Sequence, residues 1–128
     1  MDKLDFSDMS SLSKRIVANF FADIFVEAYD TNYDMCDFAN KFMNSEFCEK
    51  YMDALYSHWQ YQNAKVSMEV IEFEITPKKS KNTYVSKEAC YFIGYIYKQI
   101  YLNIAQPSKE IIRLLPFEEM NMILNSKF

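Results

Sequence analysis

Apolar residues recur along this chain at helical spacing, in blocks separated by short polar breaks. In the first block, residues 12–28, Ile16, Val17, Phe20, Phe21, Ile24, Phe25 and Ala28 draw a broad stripe along one side of an α-helix. Lys14, Arg15, Asp23 and Glu27 fall off that stripe, and Ser10, Ser11 or Ser13 can accept a bond from the first free N–H groups. Asp34 closes the following polar break and is read as the cap of a short helix marked by Met35, Phe38, Ala39 and Phe42. Asn44-Ser45 interrupts the pattern. Phe47, Cys48, Tyr51, Met52, Leu55 and Trp59 then predict a third helix, with Trp59 as a core anchor.

Residues 64–75 read two ways. Val66, Met68 and Val70 alternate as a strand would, whereas Ala64, Met68, Ile71 and Ile75 fit a helix; the helical template covers more of the segment and is preferred. Pro77 ends it and opens a polar loop to Thr83, the best internal hinge in the chain. Ser86 caps the most hydrophobic helix, which runs to about Ile104. Ala89, Ile93, Ile96, Ile100 and Ile104 form one stripe on it, expected to face the core. Cys90, Gly94, Tyr97 and Tyr101 form a second stripe, and Tyr91, Tyr95, Lys98 and Leu102 a third. Gly94 costs this helix about 1 kcal/mol relative to alanine. With Cys90 it offers a small-residue surface that another helix can approach closely. Pro107 breaks the chain, a short helix follows from Ser108 to about Leu115, and Pro116 starts a last one through Leu124. The expectation is a single all-α domain, residues 1–128, of about six helices with one central hydrophobic, aromatic-rich helix.

Composition narrows the chemistry. A chain of 128 residues with one glycine cannot build a P-loop, a dinucleotide-binding turn or a nucleophile elbow, which need several residues without a Cβ. One histidine, His58, rules out a multi-histidine metal site within the chain. Cys36, Cys48 and Cys90 form no C-x-x-C, and their odd number suits no closed disulfide framework, so they read as free thiols packed as small hydrophobes. Residues 30–34 resemble the opening of a calcium loop, but Met35 and Lys41 stand where glycine and glutamate are needed. No metal and no cofactor is therefore expected. Neither a secretory leader nor a membrane span is recognisable, and with reduced thiols this points to the cytoplasm.

The net charge of −4 is uneven: residues 1–60 carry −6 and residues 61–128 carry +2. Twelve of the fourteen bases are lysine, and an acidic chain with two arginines is a poor nucleic-acid binder. The run Lys78-Lys79-Ser80-Lys81 reads as a solvated loop. His58 lies off the main apolar stripe and reads as a surface residue. Glu69, Glu72 and Glu74 cannot share one face, and Glu118 and Glu119 suit the first turn of the last helix. No constellation supports an enzyme. What remains is surface: among twenty-two aromatic residues ten are tyrosine, a residue enriched at interfaces. Tyr91 and Tyr95 share their side of the central helix with Lys98, and these three are the candidate partner-binding residues.

The run Tyr91-Phe92-Ile93-Gly94-Tyr95-Ile96-Tyr97-Lys98-Gln99-Ile100-Tyr101, followed by Pro107-Ser108-Lys109-Glu110-Ile111-Ile112 and Pro116-Phe117-Glu118-Glu119-Met120, resembles the C-terminal half of small helical proteins of Firmicutes mobile elements. Some of those lie beside toxin-like genes, and the resemblance implies an antitoxin or accessory role. It covers about a third of the chain and carries over no functional residue. The expected function is binding of another protein, as an antitoxin-like neutraliser, with homodimerisation as a further possibility. The alternatives are a phage-encoded inhibitor of a host defence enzyme and a small helical DNA-binding regulator. Against the last, the candidate reading helix after Pro116 carries Glu118 and Glu119 and no arginine.

Overall fold

The computed structural model describes residues 9–54 and 63–127, the last two without their side chains. Leu55, His58 and Trp59 lie outside the described residues. The chain is all-helical: α1 Ser11–Asp30, α2 Met35–Met43, a π-helical turn Cys48–Met52, α3 Ala64–Glu74, α4 Lys87–Ile104, α5 Ser108–Leu114 and α6 Phe117–Lys127. Four of the starts have a local side-chain cap. Ser10 Oγ accepts from the Ser13 N–H at 3.0 Å, an Asp34 carboxylate oxygen from the Asp37 N–H at 3.0 Å, and Ser86 Oγ from the Ala89 N–H at 3.1 Å. Asn63 Oδ1 caps α3 through the Lys65 N–H at 2.8 Å. Residues 64–74 are thus helix, and only Ile75 leaves in extended conformation.

α1 and α4 form the central pair and run antiparallel. Asp30 at the end of α1 is 3.1 Å from Lys87 at the start of α4, while Phe21, a helix turn or more back, lies under Lys98. At their crossing a Cβ on Gly94 would stand 3.0 Å from the Ala22 Cα and from the Phe25 ring. The close approach expected of Gly94 and Cys90 is therefore made, and α1 fills it. That approach also corrects the sequence reading of which stripe faces inward. The buried residues of α4 are Cys90, Ile93, Gly94, Tyr97, Lys98, Tyr101 and Leu102. Of the aliphatic stripe only Ile93 is buried; Ala89, Ile96 and Ile100 are half-buried, and Ile104 is 47% exposed. The smallest side chains decide the closest contact, Ile96 and Ile100 pack at the edge of the core, and Ile104 is turned to solvent.

Around this seam Phe25 is the hub of the core. Its ring lies 5.6–6.3 Å from those of Phe21, Phe38, Phe42, Tyr97 and Phe117, joining α1, α2, α4 and α6. Such offset and edge-on pairs add to the gain from burial alone.

The polar segment after α3 is tied down rather than hinged. Asp34 N–H donates to the Lys78 carbonyl at 2.7 Å, Ser80 N–H to the Asn32 carbonyl at 2.8 Å, and Lys78 N–H to the Asp37 carboxylate at 2.8 Å. Asn82 both accepts from Met35 N–H and donates to the Tyr33 carbonyl, so this strap holds the α1–α2 turn from outside. Among the described residues, no helix is long and apolar enough to cross a membrane.

Candidate interaction surface

The outward edge of α4 carries the candidate aromatic residues. Tyr91 and Tyr95, one turn apart, are half-buried and stacked, with centroids 6.3 Å apart and planes 22° from parallel. Phe92 stands edge-on to Tyr91 at 5.9 Å and is 55% exposed. The Tyr91 hydroxyl donates to Asn19 Oδ1 on α1, which fixes the ring over the α1–α4 seam. Burial, then Asp23, raises the Tyr91 hydroxyl above its ordinary pKa, so it stays protonated and donating. The three rings form an aromatic platform with two hydroxyl tips, one of them anchored to Asn19. Phe92 was missed in the sequence because it falls between the stripes.

Lys98 does not belong to this platform, and here the sequence reading is corrected. Its side chain is 1% exposed and turned inward. Nζ donates to the Met52 carbonyl at the end of the π turn and lies 4.3 Å from the Tyr101 ring centroid and 5.3 Å from that of Phe21. Burial drives its amine down to about 8, with Asp53 and Cys48 pulling it back up. Asp53 is raised by burial and pulled back by Lys98 and by Ser108, whose N–H and Oγ–H donate to it at 2.8 and 2.6 Å. The node thus joins the π turn, α4 and the start of α5 through one buried cation, one carboxylate and two rings. A positive charge in the interior is tolerable only with such partners. The π turn serves it: Asp53 N–H closes on the Cys48 carbonyl at 2.7 Å, and the chain exits with the Asp53 carboxylate facing Ser108. A regular α-helix had been expected here.

Other polar groups are committed to the fold. A cleft of about 530 Å³ is lined by Asp34, Cys36, Asp37, Lys78, Arg113 and Glu118, among others. Asp34 caps α2. Arg113 pairs with Glu110 at 2.7 Å. Burial pushes Asp37 up, but the Lys78 N–H and Lys41 outweigh it and hold its carboxyl below the ordinary value. Burial lifts the Cys36 thiol to about 11, the Tyr84 hydroxyl bonded to it notwithstanding, so it is no thiolate nucleophile. Cys48 and Cys90 are buried thiols, and Cys36 is free and half-buried. Glu72 accepts from the Tyr33 hydroxyl, and Glu74 accepts the N–H groups of Glu46 and Phe47 at 2.5 and 2.9 Å, so these acids serve separate contacts. Among the described residues no three His, Cys, Asp or Glu side chains are grouped to hold a metal ion.

One surface feature escaped the sequence reading altogether. Phe73 on α3 is 93% exposed, and it shares a face with Val66 and Val70 at i, i+4 and i+7. The signal was present as a second apolar set, distinct from Met68, Ile71 and Ile75.

No family model, no curated protein and no solved structure matches this chain.

Proposed function

We propose that the protein acts by binding another protein through the outward edge of α4, and that its role is that of an antitoxin-like neutraliser. The observation that carries this reading is the platform of Tyr91, Phe92 and Tyr95: Tyr91 packs against both other rings and is anchored to Asn19, Phe92 is exposed, and the two tyrosines are half-exposed. Rings fixed before binding lose little freedom on contact, and such aromatic anchors supply most of the affinity at many interfaces. The polar groups of the molecule support the same reading, since those described above are spent on caps, straps and the Lys98 node rather than converged on a reacting atom. A non-enzymatic role without a cofactor follows. A cytoplasmic setting goes with three cysteines kept as thiols.

The test is co-expression with the toxin-like product of an adjacent gene. Wild-type protein should restore growth and bind that product. Truncating an aromatic anchor costs about 2 kcal/mol, roughly 30-fold in affinity. The variant Tyr91→Ala/Phe92→Ala/Tyr95→Ala should therefore lose both. Retained affinity in that variant would refute the assignment of the surface. A DNA-binding role is disfavoured by the exposed Glu118 and Glu119 in the first turn of α6. Submicromolar, steeply salt-dependent binding to duplex DNA would reverse that preference.

A further inference from the structure

The rings of the α4 platform sit in an acidic frame. Glu88, Tyr91, Phe92 and Tyr95 stand at i, i+3, i+4 and i+7, so Glu88 shares their side of α4 one turn before the rings. Asp23 borders them from α1. It follows Asn19, the acceptor of the Tyr91 hydroxyl, by one turn, and both are exposed. Among the described residues neither carboxylate is in an ion pair. Lys87, next to Glu88 in sequence, is taken up by Asp30 at 3.1 Å. Arg15 shares the Asp23 face of α1 but stands about 12 Å away along the helix axis, beyond the screening length of about 8 Å at physiological salt. Burial alone raises the Asp23 carboxyl above its ordinary value, whereas the Glu110 carboxyl, bonded to Arg113, is held below it. The rings, too, lack a cation. Lysine amines lie 4.3 Å from the ring centroids of Tyr33 and Tyr101, but among the described residues none lies over Tyr91, Phe92 or Tyr95. The platform thus combines π faces and negative charge that the fold itself does not compensate.

We propose that this platform takes an arginine side chain of the partner protein, its guanidinium stacked on the exposed rings and paired with the carboxylates of Asp23 and Glu88. The inference rests on the reading of this edge as the interaction surface and names the chemistry of what it binds. A cation over a ring face is attracted by the ring quadrupole, and a carboxylate beside the ring adds a Coulombic pull in the same direction. Arginine suits the site better than lysine. Its plane can lie on a ring while its edge donates to a carboxylate, and it gives up water more readily than an ammonium group. Phe92, 55% exposed, is the most open of the three rings, and it lies one turn from Glu88. The half-buried Asp23 side of the seam gains most from such a partner, because its charge is already partly removed from water.

Titration of the nitrogen-15-labelled full chain, followed by NMR, tests it with two probes. One is a short blocked peptide carrying arginine among glycine and serine; the other has citrulline, the neutral isostere, in place of each arginine. The arginine peptide should shift the amide signals of Asp23, Glu88, Tyr91, Phe92 and Tyr95 saturably. The citrulline peptide should bind at least roughly tenfold more weakly. Asp23→Asn/Glu88→Gln should weaken the arginine peptide about fivefold without changing the circular dichroism spectrum. Tyr91→Ala/Phe92→Ala/Tyr95→Ala should abolish the shifts at Asp23 and Glu88. Signals that stay unmoved by the arginine peptide would overturn the proposal. So would undiminished binding to either variant, which for the ring variant would mean charge attraction alone. Equal affinity for the two peptides would overturn it as well, while leaving the α4 edge as an interaction surface of apolar chemistry. Arginine selectivity that persists although the co-expression test fails would uphold it and remove only the antitoxin-like role.

Discussion

The two sides of α4 carry the same residue type to opposite ends. On the inner side Tyr97 and Tyr101 are buried, and the Tyr97 hydroxyl donates to the Leu115 carbonyl at 2.7 Å. On the outer side Tyr91 and Tyr95 stack on each other, and their neighbour Phe92 faces water. Nothing in the tyrosines themselves separates the pairs. What separates them is Gly94, which lets α1 close on one side and leaves the other only half-covered. Whether a tyrosine of α4 is buried is thus set by the residue that lets the core close, not by its own chemistry.

The largest effects should come from the inner side. Phe25→Ala removes the ring that the core aromatics share and is expected to cost about 3–5 kcal/mol, a large part of a domain's usual stability of about 5–15 kcal/mol. Urea unfolding would measure it. Gly94→Val adds a Cβ and two methyl groups where the Cβ alone meets Ala22 at 3.0 Å. The overpacking should cost about 1–3 kcal/mol despite valine's better helix propensity. A neutral Gly94→Val would show that the seam can open, and the contrast between the two sides of α4 would weaken.

The Lys98 node gives a smaller, pH-dependent effect. Its amine titrates near 8 in the folded chain and near its ordinary 10.5 in the unfolded one. Between those values the unfolded state binds more protons, so this group makes stability rise with pH. Across pH 7 to 9 the gain is about 1 kcal/mol. Above pH 9 the thiols of Cys36, Cys48 and Cys90, each held above its ordinary value by burial, act in the opposite sense. Stability of wild type minus Lys98→Met should therefore climb between pH 7 and 9. A flat difference would mean that Lys98 is solvated.

Much of the fold was legible because each helix has both a strong period and a local start signal. Asp34 and Ser86 are caps where the sequence placed them, Ser10 is one of the three serines it offered, and residues 64–74 followed the template that covered more positions. The facing of α4 was not legible. Aliphatic residues ordinarily mark the buried side, and only the pairing of Gly94 with Ala22, 72 positions earlier in the chain, reverses that. Lys98 was assigned to the surface because a charge normally stays in water. Its compensation comes from Asp53 and the Met52 carbonyl, distant in sequence and positioned by a π turn that no local pattern announces. Phe73 was lost in the same way: with Val66 and Val70 it looks like ordinary helix filling until the structure leaves Val66 and Phe73 exposed.

The claim that the outer rings serve recognition and the inner ones stability is tested most directly by one pairwise measurement. The unfolding free energy and the partner affinity of Tyr91→Ala/Phe92→Ala/Tyr95→Ala should be determined on the same preparation. The expected stability loss is no more than about 2–3 kcal/mol, that of three surface substitutions plus one lost hydrogen bond to Asn19. Affinity should fall at least 30-fold, the equivalent of about 2 kcal/mol. A loss of several kcal/mol in stability with affinity per folded molecule unchanged would place those rings in the core and contradict the account.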